Sequence, residues 1–313
     1  MIKRKNKVLI IKLGYSETLD SEISLTSSMG DVLRTTVVLH HFKNEHVTWL
    51  VDEKSYQLLE GNEYIDRILI FNLPSSLQLK SEIFDTVINF EKSPGICALA
   101  DSIKAWRRFG FRFDEYKGEA GAYDGTEQIY SLCKVKDFKR KNRMYWQEAL
   151  LTMVGGDWNN QEYILGYKPK SNIVFDVGFN WKVGNKWPNK AWPKNNWLGL
   201  GKKINEKTGF SVSWQEGLEN LLDYMEWIHS VKLLVTCDSL GLHLALALKK
   251  EVIVLFGPTN SYETYLYGRG KVLYPDSNYD CIPCVKPECD KETVCMEYIS
   301  VEKVYERVKG IIK

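Results

Sequence analysis

Long hydrophobic runs are missing from this 313-residue chain. No stretch approaches the ~20 apolar residues that a membrane-spanning helix needs, so no transmembrane segment is expected. An excess of charge of either sign is missing too: 42 basic residues face 40 acidic ones, for a net charge of +2. That balance gives no global pull toward nucleic acid, whose binding proteins carry a dense positive face. No secretory signal is expected either. The start, "MIKRKNKVLIIKLGY", is basic, but Lys12 breaks its apolar stretch and no small-residue cleavage site follows. It reads as the first core strand of a cytoplasmic protein. Neither a fine-period repeat nor a low-complexity tract is present.

What the chain does have is an ordinary globular balance, 44% hydrophobic and 26% charged residues. It is long for one core and comfortable for two domains of ~150 residues. Short β-rich runs alternate with helical stretches. Strands are predicted at 7–13, 46–52, 66–71 and 84–90, with helices near 30–42, 54–61, 75–82, 124–134 and 142–154. A glycine- and proline-bearing break at 154–172 reads as a linker. The alternation restarts with strands at 172–179, 210–214, 232–238 and 251–257, and helices at 194–207, 217–230, 239–250 and 300–313. Two successive Rossmann-like units, 1–165 and 166–313, are therefore expected, each with a parallel sheet.

The stretch "SSMGDVLRTT" (27–36) follows the first strand and opens a helix. A strand entering a helix through glycine often cradles a phosphate on free N–H groups. Here Gly30 is followed by Asp31, and a carboxylate would repel that anion. In the second half, "TCDSLGLHLALAL" (236–248) puts Asp238 and Ser239 at a strand-to-helix turn, with Gly241 and His243 in the first turns of the helix. An N-cap with a part-buried histidine is the plain alternative there. "LFGPTN" (255–260) ends the next strand, where ligands of open α/β sheets bind. "GFNWKVGNKWPNKAWPKNNW" (178–197) clusters lysines with Trp-Pro pairs. Lys182, Lys186 and Lys190 offer positive charge suited to a diphosphate, although solvated lysines beside core tryptophans would also give this pattern.

Taken in order, these elements resemble glycosyltransferase family 9, the heptosyltransferase family. The matches are the Gly-Asp turn of "SSMGDVLRTT", the lysine before Trp-Pro in "NKAWP" (189–193), the Asp-Ser turn with its following histidine, and the Phe-Gly-Pro-Thr turn. The resemblance implies a GT-B fold, two Rossmann-like domains facing a central cleft. The N-terminal domain would bind the acceptor and the C-terminal domain the nucleotide sugar, with ADP-heptose as the family's usual donor. It makes Asp31, beside Gly30 in the acceptor cleft, the general base of an inverting glycosyl transfer. It assigns Lys190, with Lys186 competing for the same alignment, to the donor diphosphate. Glu216, Asp238, Ser239, Gly241 and His243 would line the donor site. The acceptor could be a glycan, a glycolipid, a protein or a small molecule. The chain departs from the family pattern where Leu240 precedes Gly241 and where "YSETLDSEISLT" (15–26) is inserted before Gly30. The absence of Asp-x-Asp fits the metal-independent chemistry that the resemblance implies.

Four of the seven cysteines, Cys281, Cys284, Cys289 and Cys295, crowd into "CIPCVKPECDKETVC". In a chain without a secretory signal, this density favours thiolate ligation of structural zinc or iron over disulfides, with reduced free thiols as the alternative. Net negative charge in the loop argues against a nucleic-acid knuckle. Cys97, Cys133 and Cys237 read as buried thiols. Two other functions share the scaffold: a nucleotide-sugar 2-epimerase-like enzyme, and a non-catalytic nucleotide-sugar-binding protein. The Gly-Asp opening argues against the first, and the retained Asp31 and Lys190 against the second.

Overall fold

The apolar run near the start forms β1, Lys7–Ile11, in which Val8 to Ile11 are almost wholly buried. Leucine and β-branched side chains suit a strand covered on both faces. The computed structural model describes residues 5–15, 27–216 and 220–312. In it β1 pairs in parallel with β2 (His46–Val51) and β4 (Ile83–Asn89). β3 (Arg67–Ile70) and β5 (Lys104–Asp114) extend the sheet, and β6 (Glu119–Ala122) runs antiparallel to the end of β5. The order is β3-β2-β1-β4-β5-β6. It reverses direction between β1 and β4, and a crevice opens beyond the carboxyl ends of strands at such a point. β5 and β6 escape the sequence pattern. The "KAWRRFGFRFD" of β5 interleaves cations with aromatics and shows no clean alternation.

The second sheet has the order β11-β10-β9-β7-β8 and is parallel throughout. Its strands are β7 (Phe175–Asn180), β8 (Val212–Trp214), β9 (Val231–Cys237), β10 (Glu251–Leu255) and β11 (Gly270–Leu273). Here the order reverses between β7 and β9. The helix Lys194–Lys207 has the predicted bounds and starts directly after Pro193, whose ring has no N–H to leave unpaired. Trp192 and Trp197 stand edge to face, 5.0 Å between centroids, inside the core that joins this helix, the sheet and the closing helix Val301–Ile311. Trp192 Nε1 donates to the Ile299 carbonyl at 2.9 Å, so the tryptophan is anchored by both packing and a buried hydrogen bond.

The chain divides into two compact units. The first holds residues 1–138 and 144–167, and the second holds 139–143 and 168–313. The short segment 139–143 belongs to the second unit because Asn260 Nδ2 donates to the carbonyls of Lys139 at 3.0 Å and Asn142 at 2.9 Å. Among the described residues, no helix is long and apolar enough to cross a membrane.

Candidate active site

In the first unit the crevice end of β1 continues through Lys12 and Leu13 to Gly14, which adopts φ +89°. A side chain there would strike the backbone of Ser28, 2.8 Å from a Cβ, so only glycine fits. The helix Met29–Thr35 starts just beyond and carries Gly30 and Asp31, both buried, in its first turn. The part of the 15–26 insertion from 16 to 26 lies outside the described residues.

The backbone N–H groups of the turn after β1 are taken by the protein's own carboxylate. Glu91, two residues past β4 and fully buried, accepts the N–H groups of Leu13 (2.8 Å), Gly14 (2.7 Å) and Tyr15 (3.1 Å). Its Oε1 also pairs with Lys12 Nζ at 3.1 Å. Lys12 lies 3.8 Å from Asp31 Oδ2, and Arg34 pairs with Asp31 Oδ1 from one turn further along the same helix. Arg34 in turn stacks on Trp146, 5.2 Å from the ring centroid. Burial disfavours the Lys12 ammonium, but the charges of Glu91 and Asp31 outweigh it and hold the Lys12 pKa above its ordinary value. Asp31 is thus a buried carboxylate beside two cations. Sequence reasoning missed Lys12, Arg34 and Glu91. Arg34 was legible as an i,i+3 partner of Asp31. Glu91 became a candidate only once β1 and β4 were known to be neighbours.

In the second unit, Lys190 Nζ lies 2.9 Å from Asp238 Oδ2, joining the Trp-Pro loop to the turn after β9. Thr259 Oγ1, from the Gly-Pro-Thr turn, donates to the same oxygen at 2.8 Å. Burial pushes the Asp238 pKa up, but the Lys190 and His243 charges and these two hydrogen bonds prevail and bring it down to about 2. Lys190 also sits over the Trp187 ring at 5.1 Å. Asp238 is paired with Lys190, while Lys186 Nζ is buried within the same loop. His243 is buried in the helix Leu240–Ala247. Ser239 sits at the N-cap position but makes no side-chain cap; its hydroxyl instead accepts from Asn180 Nδ2 at 2.9 Å.

The Leu240-Gly241 order has a packing reason. A side chain at 241 would collide with Asn180 and with the Tyr224 hydroxyl, so the glycine belongs at that position. Tyr224 donates to Asn180 Oδ1 at 2.7 Å, and Asn180 Nδ2 donates to Thr236 at 2.7 Å. This buried network braces the crevice ends of β7 and β9 and was not foreseen from the sequence. Glu216, just past β8, is exposed; its carbonyl accepts from Lys182 Nζ at 3.0 Å.

The cysteine loop departs from the expected metal centre. Among the described residues, which include all four cysteines, no group of three or more His, Cys, Asp or Glu side chains is arranged to hold a metal ion. All seven cysteines are free thiols. Cys295 is turned into the core with Met296, where both crowd Gly257 of the Gly-Pro turn. Cys281, Cys284 and Cys289 are half-buried and near enough that their charges, after burial itself, push the Cys295 thiol up to about 11. The loop is instead tied down by backbone: Val285 N–H donates to the Pro258 carbonyl at 2.8 Å, and Asn189 Nδ2 to the Lys286 carbonyl at 2.6 Å. Of the remaining cysteines, Cys97 and Cys237 are buried and Cys133 is half-buried rather than core.

Comparison with known proteins agrees with the order of these elements. The sequence model for "Glycosyltransferase family 9 (heptosyltransferase)" matches residues 217–295. Lipopolysaccharide heptosyltransferase 1 of Pseudomonas aeruginosa is 32% identical over a 128-residue alignment covering 34% of this chain and 36% of that protein. The aligned stretch thus spans about a third of the relative's length. The heptosyltransferase WaaC of E. coli, solved with ADP-2-deoxy-2-fluoro heptose, superposes with a TM-score of 0.63 at 15% identity, covering 97% of this chain and 99% of that one. A glycosyl transferase family 9 protein from Veillonella parvula gives 0.66 at 18% identity, covering 100% and 98%. Residues 217–295 thus match the family 9 model, and the chain has the fold of these solved glycosyltransferases, its two sheets being the Rossmann-like halves of a GT-B fold.

Proposed function

We propose that the protein is an inverting glycosyltransferase that moves a heptose from ADP-heptose to a hydroxyl acceptor, with Asp31 as general base. One observation carries the reading: a buried carboxylate stands in the first turn of the helix at the crevice end of the first sheet, beside the turn after β1 whose N–H groups Glu91 has already taken. Such a turn is unsuited to a phosphate and suited to proton removal. As the acceptor oxygen attacks the anomeric carbon, Asp31 takes its proton and the bond from that carbon to the diphosphate breaks. In the second unit Lys190, together with the free N–H groups at the start of the helix Leu240–Ala247, supplies positive potential for the departing diphosphate. Asp238 holds that lysine in place. The fluorinated ADP-heptose bound to the E. coli neighbour supports the choice of donor.

The test is release of ADP from ADP-heptose, measured with wild-type protein and Asp31→Asn in the presence of candidate acceptors. Transfer by wild type, with loss of about 10²–10⁴-fold in the variant and unchanged ADP affinity, is expected. Equal rates in the two proteins would remove Asp31 from the chemistry, and no ADP release with any acceptor would overturn the donor assignment.

A further inference from the structure

We propose that Glu91 and Lys12 act as a pair of positioning residues that set the basicity of Asp31, Glu91 raising it and Lys12 lowering it. The inference rests on the reading of Asp31 as the base.

The geometry is that of a shared cation. Lys12 Nζ stands 3.1 Å from Glu91 and 3.8 Å from Asp31, all three side chains being nearly or fully buried. Glu91 is fixed by three backbone N–H groups in addition to Lys12, so it cannot move toward or away from the cation. Those donors also favour its charged form. The ammonium is therefore divided between a fixed carboxylate and the candidate base. Two cations face Asp31 among the described residues paired with it: Lys12, just past β1, and Arg34, on its own helix. Glu91, past β4, acts through Lys12. Two cations against one carboxylate would leave a weak base. The second carboxylate restores the balance by taking part of the Lys12 charge. Arg34, while paired with Asp31, also lies over the face of Trp146.

Opposite signs follow for the two partners. Glu91→Gln keeps the side-chain shape and leaves the full Lys12 charge to Asp31, lowering the Asp31 pKa by about one unit. Lys12→Met removes a cation and raises it by about the same amount. The double variant exchanges a buried ion pair for a neutral pair of similar volume, a change that buried pairs often tolerate. Its Asp31 should titrate close to wild type.

The experiment is direct carboxyl titration by NMR on full-length protein labelled with 13C at aspartate side chains, with Asp31 assigned by Asp31→Asn. Shifts of opposite sign in the two single variants, and a return in the double variant, are expected. In parallel, the acid limb of the pH profile for ADP release from ADP-heptose should move with the titration. Unmoved Asp31 titration in folded Glu91→Gln and Lys12→Met, or shifts of the same sign, would overturn the inference. Opposite NMR shifts with an unmoved acid limb would uphold the coupling and overturn Asp31 as the base. If a single variant fails to fold, the double variant measured against the remaining single one decides the sign of the missing term.

Discussion

Lys190 Nζ sits 2.9 Å from Asp238 Oδ2, although the two residues come from different loops at the crevice ends of β7 and β9. The Trp-Pro loop therefore reaches across the reversal point of the second sheet and presents its ammonium beside the helix start. Replacing Lys190 by alanine should weaken ADP binding by about tenfold or more, the scale of a charge-assisted contact to phosphate. Lys186→Ala should cost less. Isothermal titration with ADP compares them, and a larger loss at Lys186 would reverse the assignment.

The same pair makes the stability of the second unit depend on acid. Asp238 has its folded pKa lowered from 3.8 to about 2. Its contribution is therefore fully present above the unfolded value and is lost as the pH falls through about 2. Asp238→Asn should destabilise the protein near neutrality by about 2 kcal/mol, and its deficit against wild type should shrink from pH 4 downward. Chemical denaturation at several pH values measures this. A deficit independent of pH would mean that the carboxylate charge contributes nothing.

Gly241→Ala places a methyl group against Asn180 and the Tyr224 hydroxyl. Overpacking of this kind costs about 1–3 kcal/mol. Gly184→Ala, at a site with no heavy atom within 4 Å, is the control and should leave the melting temperature nearly unchanged. Equal melting temperatures for the two variants would show that the Asn180 network yields freely.

Cys295 should be the slow thiol of its loop. It is buried, and its pKa is pushed up to about 11, so little thiolate forms near neutral pH. Alkylation followed by mass spectrometry should label Cys281, Cys284 and Cys289 first. Labelling of all four at one rate would contradict the placement of Cys295 in the core.

The alternation of short strands and helices made the parallel parts of both sheets legible, because largely buried strands such as "KVLII" and "EVIVL" have few other readings. The core half of the Trp-Pro loop was legible too: Trp192 and Trp197 do plug the core, and Lys190 between them and Trp187 pairs with Asp238. What stayed hidden depends on contacts between distant residues. Glu91 is 78 residues from Leu13, and nothing in "NFEKSP" distinguishes it from a surface glutamate until β1 and β4 lie side by side. Cysteine spacing alone does not fix a metal site, for a related reason. It counts sulfurs but not directions, and Cys295 packs toward Gly257 and Met296.

The closure between Gly14 and Ser28 has an evolutionary consequence. The Ser28 N–H donates to the Gly14 carbonyl at 2.8 Å, and the Ser27 hydroxyl donates to the Leu13 carbonyl at 2.6 Å. The two ends of the intervening stretch are thus stitched together by residues outside it. Lengthening a loop whose ends already meet costs only about 0.6 kcal/mol per doubling. Selection can therefore lengthen or trim this stretch while the hydrogen bonds that seat the Asp31 helix stay in place. The turn is a point where new sequence can be grafted beside a carboxylate without disturbing the hydrogen bonds that seat its helix.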